Sequence, residues 1–450
     1  MCALQLNRRE FIIGGSSLLA FSTLLGASAS TTKHAVQRVA LIGTGWYGKS
    51  DLFRLLQVRD VEVVALCDVD RNRLDEAVQL VAKRQKSKKT PKAYNDYRKM
   101  LAAHRLDLVV IGSPDHWHAL QAIAAMEAGA HVYLQKPISV DVMEGEAILA
   151  TARRLNRKVQ IGTQRRSTPH MIDAKENIVD KGLLGKISHV EMCCYYHMRN
   201  NANPAEKPVP DFIDYELWTG PAPLRPYDNL PHGGWWRAFM EYGNGIMGDM
   251  CVHMFDTVRW MLNLGWPKQI SSTGGIYVQK EGKSNIADTQ TALFEYEELN
   301  CVWQHRTWGL PTDPEFPWAF IIYGDKGTLK GSTMKYEFTP SKGEKIVKDV
   351  VYEKEEYPED LSEARVELNA TPATRRHFIN LLSAIENNHL PVADVEQGHI
   401  STASCILANL SMALQRPLQY DPIQKICVND PEATALLKRS YRGPWKHPTA

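Results

Sequence analysis

At 450 residues the chain is too long for one ordinary hydrophobic core, so two domains are expected. Its composition, 44% hydrophobic and 23% charged, is that of a globular protein, and a net charge of +2 gives no reason to expect a nucleic-acid or membrane-surface partner. The eight cysteines show no C-x-x-C or zinc spacing, so no metal site is expected and most of them read as buried thiols.

The first segment differs in kind from the rest. Asn7-Arg8-Arg9-Glu10-Phe11-Ile12 is a twin-arginine pattern, an apolar stretch runs from Phe11 to Leu25, and Ala27-Ser28-Ala29 is an A-x-A cleavage site. Residues 1–29 therefore read as a Tat export signal, which predicts a periplasmic protein, or a membrane-tethered one if the signal stays uncleaved. No later stretch is long and apolar enough to span a bilayer. Free dinucleotide is scarce outside the inner membrane, so a dinucleotide enzyme there is expected to retain its cofactor tightly and regenerate it within its own cycle.

Residues 36–162 alternate strand and helix. Val39-Ala40-Leu41-Ile42 runs into Gly43-Thr44-Gly45-Trp46-Tyr47-Gly48, a G-x-G-x-x-G turn. Gly43 permits the tight turn, Gly45 lets a pyrophosphate approach the backbone, and Gly48 lets the following helix pack on the sheet. That helix offers free N–H groups to phosphate. A second strand, Val61 to Cys67, ends at Asp68, where a carboxylate accepts hydrogen bonds from a ribose diol. Asp68 would repel a 2′-phosphate, which favours NAD over NADP, although Arg71 and Arg73 are near enough to keep NADP open. Lys92–Tyr94, Asp107–Gly112, His131–Leu134 and Lys158–Gly162 supply further strands, with Asp96 a candidate helix cap and helices at Asp115–Ala128 and Val140–Leu155. The prediction is a doubly wound parallel sheet with its ligand at the carboxyl ends of the strands.

From Lys186 the pattern changes. Longer, partly alternating strands at Lys186–His197, Gln269–Gln279, Thr289–Glu297, Asn300–Trp308 and Trp318–Gly324 predict a mostly antiparallel sheet, so residues 163–450 are assigned to an α+β substrate and oligomerisation domain. A helix is expected from about Gly245 to Leu264, with others at Thr374–Glu386 and Val395–Leu414. The Pro-, Asn- and Trp-rich span 200–236 reads as an ordered loop over a site.

Two segments could carry chemistry. Gln135-Lys136-Pro137 places a lysine at the carboxyl edge of the fifth strand, near the nicotinamide position. On a regular helix Asp249 and His253 share a face at i and i+4, and Asp256 falls on the same stripe. That stripe is either a histidine bonded between two aspartates in a helix packing, or an imidazole of near-neutral pKa, oriented by carboxylates, that moves a proton. Oxidising a carbinol needs a hydride acceptor and a proton acceptor; His253 can be the second, while Lys136 stabilises charge on the same oxygen.

The combination of the Gly43-to-Gly48 fingerprint, Ser113-Pro114-Asp115-His116-Trp117-His118, Lys136-Pro137 and Asp249-x-x-x-His253 with Asp256 resembles the glucose–fructose oxidoreductase/inositol dehydrogenase/MocA (Gfo/Idh/MocA) family over nearly the whole mature chain. The resemblance implies a C-terminal domain with a large open sheet, homodimers or homotetramers, and sugar or polyol substrates. It also implies a catalytic lysine, aspartate and histidine at Lys136, Asp249 and His253. Expected cofactor contacts are Gly43, Thr44, Gly45, Trp46, Tyr47, Gly48, Asp68, Ser113, Pro114, Gln135 and Lys136; His116 and His118 either join them or are structural. Expected substrate contacts are Arg165, His197, Arg237, Asp249 and His253, with Arg166, Tyr195, Trp235, Trp236, Tyr242 and Trp308 as weaker candidates. One departure stands out: Gln135 occupies a position where most of the family has Glu, which removes a carboxylate that could stabilise the charged lysine. The sequence thus predicts an exported NAD-dependent oxidoreductase acting on a sugar, polyol or glycoside hydroxyl. Its rivals are a redox-neutral NAD-dependent glycosidase working through a 3-keto intermediate and a non-catalytic sugar-binding or sensor protein.

Overall fold

The computed structural model describes residues 36–196 and 199–449. The segment 1–29 expected to be an export signal, and the candidate substrate contact His197, lie outside them. Six parallel strands, β1 (Arg38–Ile42), β2 (Glu62–Cys67), β3 (Lys92–Tyr94), β4 (Leu108–Ile111), β5 (His131–Leu134) and β6 (Val159–Ile161), form one sheet in the order β3-β2-β1-β4-β5-β6. Of the central strands β4 is buried throughout and β5 beyond its first residue, because helices cover both faces, which is why they read as apolar runs without alternation. The order reverses between β1 and β4, and a crevice opens at the carboxyl ends of strands at such a point. Asp96 caps its helix as expected, accepting a hydrogen bond from the Arg98 N–H.

A second sheet has eight strands: β7 (Ile187–Cys194), β8 (Gln269–Gly275), β9 (Thr289–Glu295), β10 (Asn300–Arg306), β11 (Trp318–Gly324), β12 (Gly327–Ser332), β13 (Lys335–Pro340) and β14 (Ile346–Asp349). Their order is β14-β13-β12-β11-β7-β10-β9-β8, antiparallel except where β7 meets β10. β9 and β10 alternate buried and half-exposed or exposed residues, so one face packs on the core and the other is open. The last three strands extend the sheet beyond the expected set. β12 is broken by glycines and β14 is exposed at every residue, so neither carries a strong alternation signal.

The chain then returns to its first half. In the helix Thr371–Glu386, Phe378, Leu381 and Leu382 pack into the core beside Val39, Leu41 and Tyr133 of the parallel sheet. The helix Val395–Leu414 lies against β8 and the helices Val142–Arg154 and Val252–Leu262. The helix expected over 245–264 is divided: a π-turn over Met247–Cys251 precedes a regular helix, Val252–Leu262. The wider turn changes the angular relation between Asp249 and His253 from that of a regular α-helix.

Candidate active site

The glycine turn after β1 is built as its sequence requires. Gly43 has φ +86°, and a side-chain carbon there would lie 2.5 Å from the Ser113 nitrogen. One at Gly48 would lie 2.1 Å from the Gly43 oxygen, so helix and turn are in direct backbone contact. Gly45 differs: a side-chain carbon there would meet nothing within 4 Å, because it opens onto a cleft of about 590 Å³. Thr44, Trp46, Tyr47, Asp68, Ser113 and Pro114 line the same cleft. Asp68 accepts hydrogen bonds from the Thr44 N–H (2.7 Å), the Thr44 hydroxyl (3.0 Å) and the Asp70 N–H (3.0 Å), which fixes its carboxylate at the cleft edge. Open backbone at Gly45, a helix N-terminus and a fixed carboxylate past β2 are the donors and acceptor a dinucleotide needs, so these residues fit NAD. Arg73 also lines the cleft, its guanidinium engaged by Asp70 at 3.1 Å and by the His232 carbonyl at 2.9 Å.

Three residues weighed as cofactor contacts are engaged by groups of the protein. His116 is buried with Nε2 3.0 Å from the Trp218 carbonyl. The ring nitrogens of His118 face the carbonyls of Pro137 (2.7 Å) and Ser113 (2.9 Å), so this residue ties together two turns that flank the cleft. Burial pushes both imidazoles down to about 4. Gln135 is buried behind the cleft: its Nε2 donates to Asp51 at 2.6 Å and its Oε1 accepts from the Lys136 N–H at 3.2 Å. The sequence could not separate these roles, because a polar residue beside a fingerprint turn can face the ligand or brace the turn.

Lys136 leaves the end of β5 and meets the second half of the chain. Its Nζ donates to the Asp249 carboxylate at 2.6 Å and to the Asp249 backbone carbonyl at 2.9 Å. Arg237, stacked 4.0 Å over Trp236, brings its Nε to 3.1 Å from the same carboxylate. Burial would raise the Asp249 carboxyl, but the charges and hydrogen bonds of Lys136 and Arg237 outweigh it and hold the group below the ordinary carboxylate range. Lys136, Asp249 and Arg237 thus form one cluster, with Trp236 and Arg237 at the rim of the dinucleotide cleft.

His253 lies beside this cluster, and its surroundings differ from expectation. Asp249 serves Lys136 and Arg237, while Asp256 takes two bonds from Arg166 (2.7 and 2.8 Å) and one from Ser401 (2.8 Å). Neither carboxylate orients the imidazole. The π-turn and the strong pull of Arg166 on Asp256 account for the change. Nδ1 of His253 is buried with no hydrogen-bond partner among the described residues, and the ring packs edge-on against Trp318 at 5.5 Å. Burial, then the positive charges of Lys136, Arg165 and Arg237, push its pKa well below the usual imidazole value. That shift favours the neutral ring, and Nδ1 is left without a partner among the described residues.

The remaining candidates divide. Arg165 is buried near His253, its guanidinium 5.4 Å from the Trp318 ring centre. Arg166 is spent on Asp256. Trp308 donates to the Thr289 hydroxyl at 2.9 Å, and Tyr195 donates to Gln304 at 3.3 Å, so both serve the second sheet. Tyr242 is fully buried and Trp235 is exposed. Sequence reasoning missed Asp51, whose buried carboxyl is pushed up to about 7 by burial, against the opposing Gln135 hydrogen bond and Arg54 charge. It also gave no role to Asp115, a buried acid in the Ser113–His118 motif whose carboxyl burial raises well above its ordinary value.

All seven cysteines among the described residues are free, and all but the half-buried Cys193 are buried.

Comparison with known proteins agrees with this arrangement. Residues 37–163 match the model described as an oxidoreductase family, NAD-binding Rossmann fold, and residues 172–293 and 344–447 match its C-terminal alpha/beta domain. A glycosyl hydrolase family 109 protein of Stenotrophomonas maltophilia is 30% identical over 229 residues, 47% of this chain and 47% of that protein. An alpha-N-acetylgalactosaminidase of Shewanella oneidensis is 31% identical over 169 residues, 37% of each. The match therefore spans less than half the length of these curated relatives. Among solved structures, an Agrobacterium radiobacter oxidoreductase in complex with NAD+, L-tartaric acid and magnesium superposes with TM-score 0.65 at 16% identity, covering 86% of this chain and 98% of that one. The WlbA dehydrogenase of Bordetella pertussis, in complex with NADH and UDP-GlcNAcA, gives TM-score 0.61 at 16% identity, covering 86% and 99%. At that identity the likeness is one of fold. The two family models together cover most of the sequence, and with the glycine turn, Asp68 and the parallel sheet in place, the chain belongs to the Gfo/Idh/MocA family of NAD-binding oxidoreductases.

Proposed function

We propose that this chain is an NAD-dependent oxidoreductase acting on a hydroxyl of a sugar, polyol or glycoside. The observation that carries the reading is the meeting of Lys136 and Asp249, 2.6 Å apart, beside His253, whose pKa burial and the neighbouring cations push down, at the edge of the dinucleotide cleft. NAD, when bound, supplies hydride acceptance at the carbinol carbon. His253 takes the hydroxyl proton. The Lys136 ammonium donates to the same oxygen and stabilises the negative charge that develops there. Asp249 holds Lys136 in place and accepts a hydrogen bond from a neighbouring substrate hydroxyl, with Arg237 fixing the carboxylate. The test is turnover: Lys136→Met and His253→Ala should each abolish sugar-dependent NADH formation while NAD still binds. Near-normal turnover by both variants would reject these roles.

A second reading is favoured by the names of the curated relatives, a family 109 glycosyl hydrolase and an alpha-N-acetylgalactosaminidase. The same residues would oxidise a glycoside to a 3-keto sugar, whose carbonyl acidifies the neighbouring C–H. Loss of that proton expels the glycosidic oxygen; water then adds to the resulting alkene, and the hydride returns to the carbonyl carbon. Release of aglycone from a glycoside without net NADH distinguishes this cycle from a dehydrogenase.

We also propose export by the twin-arginine route to the periplasm with cofactor already loaded. The support is the segment 7–29; among the described residues no helix is long and apolar enough to cross a membrane. Cell fractionation of the full chain and of an Arg8→Lys, Arg9→Lys variant tests it. Self-association through the open face of the eight-stranded sheet, as a homodimer or homotetramer, is tested by light scattering.

A further inference from the structure

The turn from residue 163 to 170, which joins β6 to the helix Pro169–Ala174, holds a concentration of buried polar atoms that no described residue satisfies. They are Thr163 Oγ1, Gln164 Oε1, Arg165 Nε and Nη1, Thr168 Oγ1 and His170 Nδ1. Folded proteins leave few such groups, and a run of them in one short segment marks a place where water or a polar ligand completes the hydrogen bonding.

Arg165 decides what kind of ligand. Its side chain is a cation only 3% exposed, and among the described residues no carboxylate lies within ion-pair distance of it. The next residue shows what a structural arginine looks like here: Arg166 is bound at two nitrogens by Asp256. Arg165 and His253 pack on the same indole, at 5.4 Å and 5.5 Å from Trp318, and the guanidinium is near enough for its charge to act on the imidazole. Charge points the same way. Lys136, Arg165 and Arg237 all bear on His253, yet of the three only Lys136 and Arg237 are paired with a carboxylate, that of Asp249. A buried cation is retained when something pairs with it.

We propose that the substrate is an acidic sugar or glycoside and that Arg165 receives its carboxylate. This rests on the oxidoreductase reading above. A guanidinium fork matches a planar carboxylate with two N–H···O bonds, and the buried Trp318 ring backs both the guanidinium and the imidazole of His253. With the carboxylate paired there, the hydroxyl to be oxidised is presented to His253 and Lys136 in one orientation.

The experiment uses the NAD-loaded protein and matched ligands: galactose and galacturonate, glucose and glucuronate, their N-acetyl and p-nitrophenyl counterparts, and the sugar 6-phosphates. Binding is read by Trp fluorescence or calorimetry, and turnover by NADH or p-nitrophenol release. The acids should exceed their neutral partners by at least about tenfold in affinity or kcat/KM, the scale of one charge-assisted contact. Arg165→Gln should bring that ratio close to one through KM, and Arg165→Lys should restore part of it. Should Arg165→Gln not fold, the wild-type ratio and the lysine variant decide. Equal or better handling of the neutral sugars, an acid preference unchanged in Arg165→Gln, or preference for the phosphates overturns the proposal. Acids that bind through Arg165 without any hydride transfer or bond cleavage leave it standing and refute the enzymatic reading; a neutral sugar that reduces the cofactor while acids fail to bind does the reverse.

Discussion

Asp249 grips Lys136 at two points, 2.6 Å from its carboxylate and 2.9 Å from its own backbone oxygen. The lysine belongs to the end of the parallel sheet and the aspartate to the π-turn that leads into the helix Val252–Leu262, so one ion pair joins the two halves of the site. It also answers the question raised by Gln135. The charged ammonium has its carboxylate, delivered from more than a hundred residues away, while Gln135 turns its amide to Asp51 and to the Lys136 backbone.

Removing either proton-handling group should therefore act on chemistry rather than on cofactor binding. Lys136→Met or His253→Ala is expected to lower kcat on the order of 10²- to 10⁴-fold, the usual contribution of a positioned acid or base. NAD affinity, measured by calorimetry, should be little changed, because the glycine turn and Asp68 are untouched.

Asp68 is the corresponding lever on the cofactor. Its carboxylate is pre-set by Thr44 and Asp70 to receive a ribose diol. Asp68→Ala should weaken NAD binding roughly tenfold to a hundredfold, the loss of charge-assisted hydrogen bonds. It should not gain NADP in compensation, because Arg73 is already held by Asp70 and the His232 carbonyl. Titration with both nucleotides checks this.

The pH profile of kcat/KM carries its own signature. The pKa of His253 is depressed by burial and by three neighbouring cations, so the imidazole stays neutral and able to accept a proton as pH falls through the ordinary histidine range. The acid limb is expected clearly below the unperturbed value of about 6.5. An inflection at or above that value would contradict the assignment of His253 as the base.

Asp51 predicts a stability effect. Its carboxyl is raised to about 7 in the folded protein, so between the unfolded value and about 7 the folded state binds the extra proton. Stability contributed by this group is then full at low pH and is lost as pH rises through that window, at up to about 1.4 kcal/mol per pH unit. Asp51→Asn should flatten the decline in the melting profile, since the amide still accepts from Gln135 without becoming charged.

The sequence disclosed most of the first sheet, because buried parallel strands and a glycine fingerprint are local signals that do not depend on distant partners. It also paired Lys136 with Asp249 and His253 as one group, through their spacing and the family resemblance. What it could not show was allocation. Asp249, Asp256 and His253 looked like one helical stripe, yet a π-turn and Arg166, ninety residues away, drew the two carboxylates to separate partners. Whether His116, His118 and Gln135 face a cofactor or brace the turn is not a local property, because the carbonyls of Trp218 and Pro137, and the acid Asp51, that engage them are distant in the chain. The weakly patterned strands β12 and β14 were invisible for a related reason: pairing, rather than their own residues, makes them strands.

The most direct test of the account is the near-ultraviolet absorbance of the purified, NAD-loaded protein before and after addition of neutral and acidic sugars and their glycosides. The account predicts that at least one of them produces the reduced-nicotinamide band, or in the glycosidase cycle a transient form of it with aglycone release, and that Lys136→Met and His253→Ala suppress both. A protein that binds NAD and sugar together, yet shows neither band nor release with any member of the panel, would contradict it.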